Sequence, residues 1–155
     1  MKTILVPVDF SAGAARAIRV ACRMARLTKS RLVLLHVMEE PGGWETYGSA
    51  YDLMLEAVRS VEKIAAKKLD ELGRACRRGG QPVRTIQQAG TPRQVIVATA
   101  AKLKASYIVM GSHGHGAVYD LFVGSTTQGV LRRAPCPVFV VPARSDGARA
   151  KAAQR

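Results

Sequence analysis

Short, uninterrupted apolar runs alternate with longer segments whose apolar residues recur every three or four positions, and this alternation continues from Thr3 to Val141. Thr3-Ile-Leu-Val-Pro-Val8 is a compact apolar run with β-branched residues, which predicts a first strand ending near Asp9, with Ser11 placed to cap a helix. From Ala12 to Leu27, Ala14, Ala17, Ile18, Ala21, Cys22 and Ala25 recur at helical spacing with arginines opposite. Arg31-Leu-Val-Leu-Leu-His-Val37 is too uniformly apolar for a half-exposed sheet and predicts a strand covered on both faces. Glu39 to Ser49, with Pro41, Gly42, Gly43 and Gly48, reads as a loop. Tyr51, Met54, Leu55, Val58, Val61, Ala65, Leu69, Leu72 and Cys76 then trace one helical stripe, stopping before Gly79-Gly80.

Val83 to Gln88 is shorter and more polar, as expected of a strand at a sheet edge. Thr91-Pro92 supplies an N-cap and a first-turn proline for a third helix through Val95, Ile96, Thr99, Ala100 and Leu103. A fourth strand, Ser106 to Met110, leads directly into Gly111. Ser125 to Arg133 forms a fourth helix, and Val138 to Val141 a fifth strand between Pro137 and Pro142. Five strands alternating with four helices predict a doubly wound α/β domain with a parallel sheet and helices on both faces. In such sheets ligands bind beyond the carboxyl ends of the strands, where strand order reverses. Asp9 and the Gly111 loop both follow strand ends.

The 155 residues suit one domain, with a basic tail from Ala143 to Arg155 expected to be flexible. No run approaches the roughly 20 apolar residues of a membrane span, and the N-terminus lacks the pattern of a signal peptide. Cys22, Cys76 and Cys136 lie inside apolar patterns and read as core thiols, so a reducing cytoplasm is the expected setting. The net charge of +13 raises the question of a nucleic-acid partner. Its largest cluster, Arg59 to Arg78, is diluted by Glu62, Asp70 and Glu71 along one helix, and no aromatic platform accompanies it. A solvated helix face explains that charge better than nucleic acid does. His36, His113 and His115 lack the further ligands of a zinc site. Cys136 enters a buried strand and reads as packing, while Trp44, Tyr47 and Tyr51 read as anchors of a loop, or as cover for a crevice or a partner.

The candidate chemistry lies in Gly111-Ser-His-Gly114, followed after nine residues by Gly124-Ser125, a G-x2-G-x9-G-[ST] spacing. Glycines allow a bulky ligand to approach the backbone and permit positive φ. Amide groups at a helix start favour anions, and Ser125 and Thr126 add hydroxyl donors. Those groups suit a polyphosphate. Neither a G-x-x-x-x-G-K-[ST] loop nor a G-x-G-x-x-G turn follows the first strand, which argues against P-loop and dinucleotide readings. The simpler alternative is that these glycines only shape turns, and that Asp9 only supports the start of the first helix.

Val6-Pro-Val-Asp9, Gly90-Thr-Pro92, Ile108-Val-Met-Gly-Ser112, Gly124-Ser125 and Val130-Leu-Arg-Arg-Ala-Pro-Cys-Pro-Val138 together resemble the universal stress protein family, over residues 3 to about 142. That resemblance implies a five-stranded sheet in the order 3-2-1-4-5, a dimer in many members, and ATP binding where the glycine pattern is present. Carried onto this chain, it puts adenine near Pro7, Val8 and the backbone of Val37, with Asp9 near the ribose and phosphates. Met110 and Gly111 would line the ribose. Gly114, His115, Gly124, Ser125 and Thr126 would meet the phosphates, with Asp9 or a hydroxyl helping to hold Mg²⁺ through water. Ser106 departs from the acidic residue often found there in the family, and the loop is richer in histidine than the pattern requires. The resemblance implies a stress-response module that signals through nucleotide occupancy. No lysine or arginine lies within Gly111 to Thr127, which favours binding over hydrolysis. Slow hydrolysis, with His115 or Asp9 taking part, is one alternative, and a nucleotide-free protein-interaction module is another. A fifth strand exposed at a sheet edge needs cover, so a homodimer paired through Val138 to Val141 is expected.

Overall fold

The computed structural model describes residues 1–39, 51–112 and 123–142, with the side chains of residues 51 and 52 left outside that description. The elements run β1 (Thr3–Pro7), α1 (Ala12–Thr28), β2 (Arg31–Met38), α2 (Tyr51–Arg78), β3 (Val83–Ala89), α3 (Pro92–Lys102), β4 (Tyr107–Gly111), α4 (Ser125–Leu131) and β5 (Val138–Val141). All strand pairs are parallel, in the order β3-β2-β1-β4-β5. The predicted doubly wound α/β sheet is therefore present, and its order reverses between β1 and β4.

Side-chain alternation along the strands divides the core in two. Ile4, Val6, Leu32, Leu34 and Val109 pack with Ala14, Ala17, Ala21 of α1 and Leu69 of α2. Leu5, Val33, Leu35, Ile108 and Met110 pack with Ile96 and Ala100 of α3 and Val130 of α4. Helices α1 and α2 thus cover one face, and α3 and α4 the other. The reason is topological: β1 to β3 step one way across the sheet, and the later connections step back. Crossovers of constant hand that reverse direction must change face. The four consecutive residues Leu32 to Leu35 are fully buried, as a strand covered on both sides requires. Each contributes about 1.5–3 kcal/mol of apolar burial.

Local signals fix most boundaries. Ser11 caps α1 by accepting the Ala14 amide at 3.1 Å. Proline opens α3 after Thr91, although the Thr91 side chain makes no capping bond. Gly90 joins β3 to α3 at φ +132°, with its amide on the Met38 carbonyl at 2.9 Å, a conformation that disfavours any side chain.

Several expectations shift. β1 stops at Pro7 rather than near Asp9, because Phe10 turns the chain at φ +63°. β4 runs one residue later than expected and includes Gly111. α4 ends at Leu131, two residues early, since Ala134 precedes Pro135 and is biased away from helix. Val61, placed on the buried stripe of α2, is 60% exposed. At about 42 Å, α2 is longer than the strands it packs on, so its buried residues concentrate toward Ala65, Leu69 and Cys76. The expected loop residues 40–50, including Trp44 and Tyr47, and the basic tail 143–155 lie outside the described residues. No described helix is long and apolar enough to cross a membrane.

Candidate functional site

Strand β1 ends in a hydrogen-bond network beside the point where strand order reverses. Pro7 pairs with Leu35, and the next amide, Val8, donates to the Leu35 carbonyl at 2.8 Å. The Val8 carbonyl accepts from His36 Nδ1 at 2.7 Å, which assigns the proton to that nitrogen because a carbonyl only accepts. Val8 thus has both backbone polar groups engaged, and its side chain is buried against α1.

Asp9 is exposed, and its Oδ1 accepts from the Ser11 amide at 2.9 Å and the Ser11 hydroxyl at 2.6 Å. The structural role weighed for Asp9 in helix support is therefore real. Oδ1 is an anchor for the α1 start. Between Asp9 and Ser11, Phe10 occupies left-handed φ, where a bulky residue is strained by about 1–3 kcal/mol. Its ring lies 4.5 Å from that of His36, and the Lys68 ammonium stands 5.8 Å from its centroid. Those contacts and the Asp9–Ser11 turn hold the strained residue from both sides.

Across the reversal point, β4 and the start of α4 are tied together. Gly111 pairs with Val141 of β5, and Ser112 donates to the Val141 carbonyl at 2.9 Å. The Gly124 amide donates to the Ser112 carbonyl at 2.8 Å, and the buried Thr127 hydroxyl donates to the Gly111 carbonyl at 3.0 Å. These two bonds set the start of α4 directly over the end of β4. Ser125 is left exposed and Thr126 half-buried at its first turn. Met110 is buried in the α3/α4 core, so only its backbone faces the strand end.

Among the described glycines only Gly80 and Gly90 have positive φ, so Gly111 and Gly124 do not serve as left-handed turns. Gly124 caps α4 at φ −58° and ψ 151°, which any residue adopts. Its distinguishing property here is the missing side chain. Val37 sits two residues beyond Leu35, so its amide and carbonyl point to the same edge, past the last paired residue of β1. Gly114 and His115, with His113, lie outside the described residues.

Sequence reasoning missed three features. Thr127, not Ser125 or Thr126, spends its hydroxyl inside the protein; its spacing from Val130 on one helical face was the available signal. His36 reads from sequence only as a possible metal ligand, whereas in the structure it pins β2 to the end of β1. Among the described residues no group of three or more metal-ligating side chains occurs. Cys22 and Cys76, far apart in the chain, meet at 3.6 Å between α1 and α2. Near them lies a cavity of about 390 Å³ lined by Val8, Phe10, Ala14, Ile18, Lys68 and Leu72, on the α1/α2 face.

Comparison with known proteins gives a consistent result. The sequence profile of the Universal stress protein family matches residues 1–142. A universal stress protein of Thermus aquaticus is 33% identical over 140 residues, covering 90% of this chain and 98% of its own. The solved structure of the hypothetical protein MJ0577, from Methanocaldococcus jannaschii, superimposes with a TM-score of 0.81 at 28% identity, covering 94% of this chain and 98% of that one. A universal stress protein of Archaeoglobus fulgidus, solved in complex with dAMP, shares the fold at a TM-score of 0.63 and 24% identity, covering 90% of this chain and 97% of its own.

Proposed function

The chain belongs to the universal stress protein family, and on that premise we propose that it binds ATP in the crevice between the ends of β1 and β4 and signals stress through nucleotide occupancy. The observation that carries this reading is the pair of bonds from Gly124 and Thr127 to the end of β4. They hold a side-chain-free residue and the exposed Ser125 hydroxyl at the point where strand order reverses, the position at which α/β sheets take ligands. A relative of the same fold is solved with dAMP, which makes adenine nucleotides the first ligands to test.

In this reading the backbone edge of Val37 and the Pro7–Val8 corner receive adenine, and Met110 and Gly111 flank the ribose through their backbone. Gly124 leaves room for phosphate while Ser125 and Thr126 donate to it. Gly114 and His115 belong to the same proposed phosphate contact. Asp9 orients the α1 start with Oδ1, and an Mg²⁺ ion held through water beside it would neutralise phosphate charge. The absence of lysine and arginine from Gly111 to Thr127 favours occupancy over turnover as the signal. The net charge of +13 draws polyanions toward the protein at long range.

Mass spectrometry of nucleotide released on denaturation, with calorimetric titration of ATP and Mg²⁺, tests this directly. Finding neither ATP nor ADP by either measurement would discard it. A second reading, a nucleotide-free interaction module, is favoured by one observation: β5 ends the sheet with Phe139 43% exposed. Either reading accommodates a homodimer through Val138–Val141, which would cover that edge, and a further protein partner.

A further inference from the structure

Cys22 on α1 and Cys76 on α2 stand 54 positions apart in sequence, yet their sulfurs are 3.6 Å apart. Both thiols are free, and they belong to one packed seam. Ile18 and Leu72, each one turn before its cysteine, line the cavity on the same side of the sheet. From this geometry we infer that Cys22 and Cys76 are a reversible oxidation site, which closes to a disulfide and staples α2 to α1. A disulfide bond needs the sulfurs about 1.5 Å closer than they stand, a distance that side-chain rotation and slight helix sliding can supply.

The two thiols are unequal in a way that orders the chemistry. Cys22 is half-buried and meets a dissolved oxidant first, whereas Cys76 is buried. Burial, with Cys22 beside it, pushes the Cys76 thiol up to about 12, which keeps it protonated and inert alone. Hydrogen peroxide converts the Cys22 thiol to a sulfenic acid and is reduced to one water. The Cys76 sulfur then attacks the Cys22 sulfur, its proton leaves with the sulfenic hydroxyl as a second water, and the S–S bond forms. Two thiols give up two electrons in all, and peroxide accepts both. A dithiol reductant reverses the step by exchange. The third thiol, Cys136, packs on the opposite face of the sheet with the α3/α4 core and takes no part.

The site is tested on the full chain by treating native protein with stoichiometric hydrogen peroxide, blocking residual thiols, and mapping tryptic peptides without reduction. The expected product links Val20–Arg23 to Ala75–Arg77, with Cys136 still blocked as a thiol. Because the bond closes a long loop, the melting temperature of the oxidised protein should rise by on the order of 10 °C and return on reduction. Cys22→Ser, at the half-buried position, should fold and show no peroxide-induced rise. Three outcomes would overturn the inference. They are a sulfinic acid on Cys22 without the cross-link, a cross-link that uses Cys136, or a cross-linked protein whose melting temperature does not change.

Discussion

Gly124→Ala separates a glycine needed for folding from a glycine needed for a ligand. At φ −58° and ψ 151° the backbone accepts alanine without strain. Removing glycine from the unfolded ensemble favours folding by about 0.4–1 kcal/mol. Against this, alanine is a poorer N-cap than glycine, by a similar few tenths to about 1 kcal/mol. The two nearly cancel, so unfolding stability should change by under about 1 kcal/mol, or about 2–4 °C in melting temperature for a chain this size. Binding should respond quite differently. With phosphate bound against Gly124 as proposed, a methyl group there should displace charge-assisted hydrogen bonds worth about 1.5–3 kcal/mol, roughly a tenfold to hundredfold loss of ATP affinity. Thermal unfolding with and without ATP and Mg²⁺, followed by calorimetric titration, reads both quantities in one preparation. At about 100 times its Kd, ATP should stabilise the wild-type protein by about 2.7 kcal/mol and the variant by much less. Binding of ATP by Gly124→Ala within twofold of wild type would remove phosphate from this position. A loss of more than about 2 kcal/mol of stability would instead assign the glycine to the fold.

Other consequences follow from individual contacts. Thr127→Val keeps shape but removes the donor to the Gly111 carbonyl, so it should cost about 1 kcal/mol in urea unfolding and weaken ATP binding; unchanged affinity would detach that bond from the site. Gly90→Ala should lose about 1–3 kcal/mol, because φ +132° is strained for alanine and its Cβ would meet Val95 Cγ2 at 3.0 Å. Cys76 has its pKa raised from 9.0 to about 12 in the folded state, so between those values the unfolded chain releases a proton that the folded chain keeps. Stability should therefore fall as pH rises from 9 toward 12, and Cys76→Ala should flatten that part of the urea midpoint profile. Phe139→Lys on the exposed face of β5 should shift a dimer to monomer in equilibrium sedimentation, and a wild-type monomer at all concentrations would remove the proposed pairing.

The sequence by itself determined the order and type of the nine elements among the described residues, because each declares itself locally. The uniform apolar run Leu32 to Leu35 is typical of a strand buried on both faces, and Ser11 and Pro92 mark helix starts through short-range chemistry. The strand order 3-2-1-4-5 was legible through resemblance to the family, and the glycine and hydroxyl spacing after β4 named residues whose role binding measurements decide. What lay beyond sequence was every relation between side chains distant along the chain. Asp9 proved to hold Ser11, Thr127 to hold Gly111, and His36 to hold Val8, while Gly124 proved not to need its dihedral freedom. Periodicity put Cys22 and Cys76 in the core without saying that they touch. Only packing α1 and α2 on one face of the sheet decides that, since inter-helix register depends on the crossovers and on side-chain fit, neither of which a local pattern encodes.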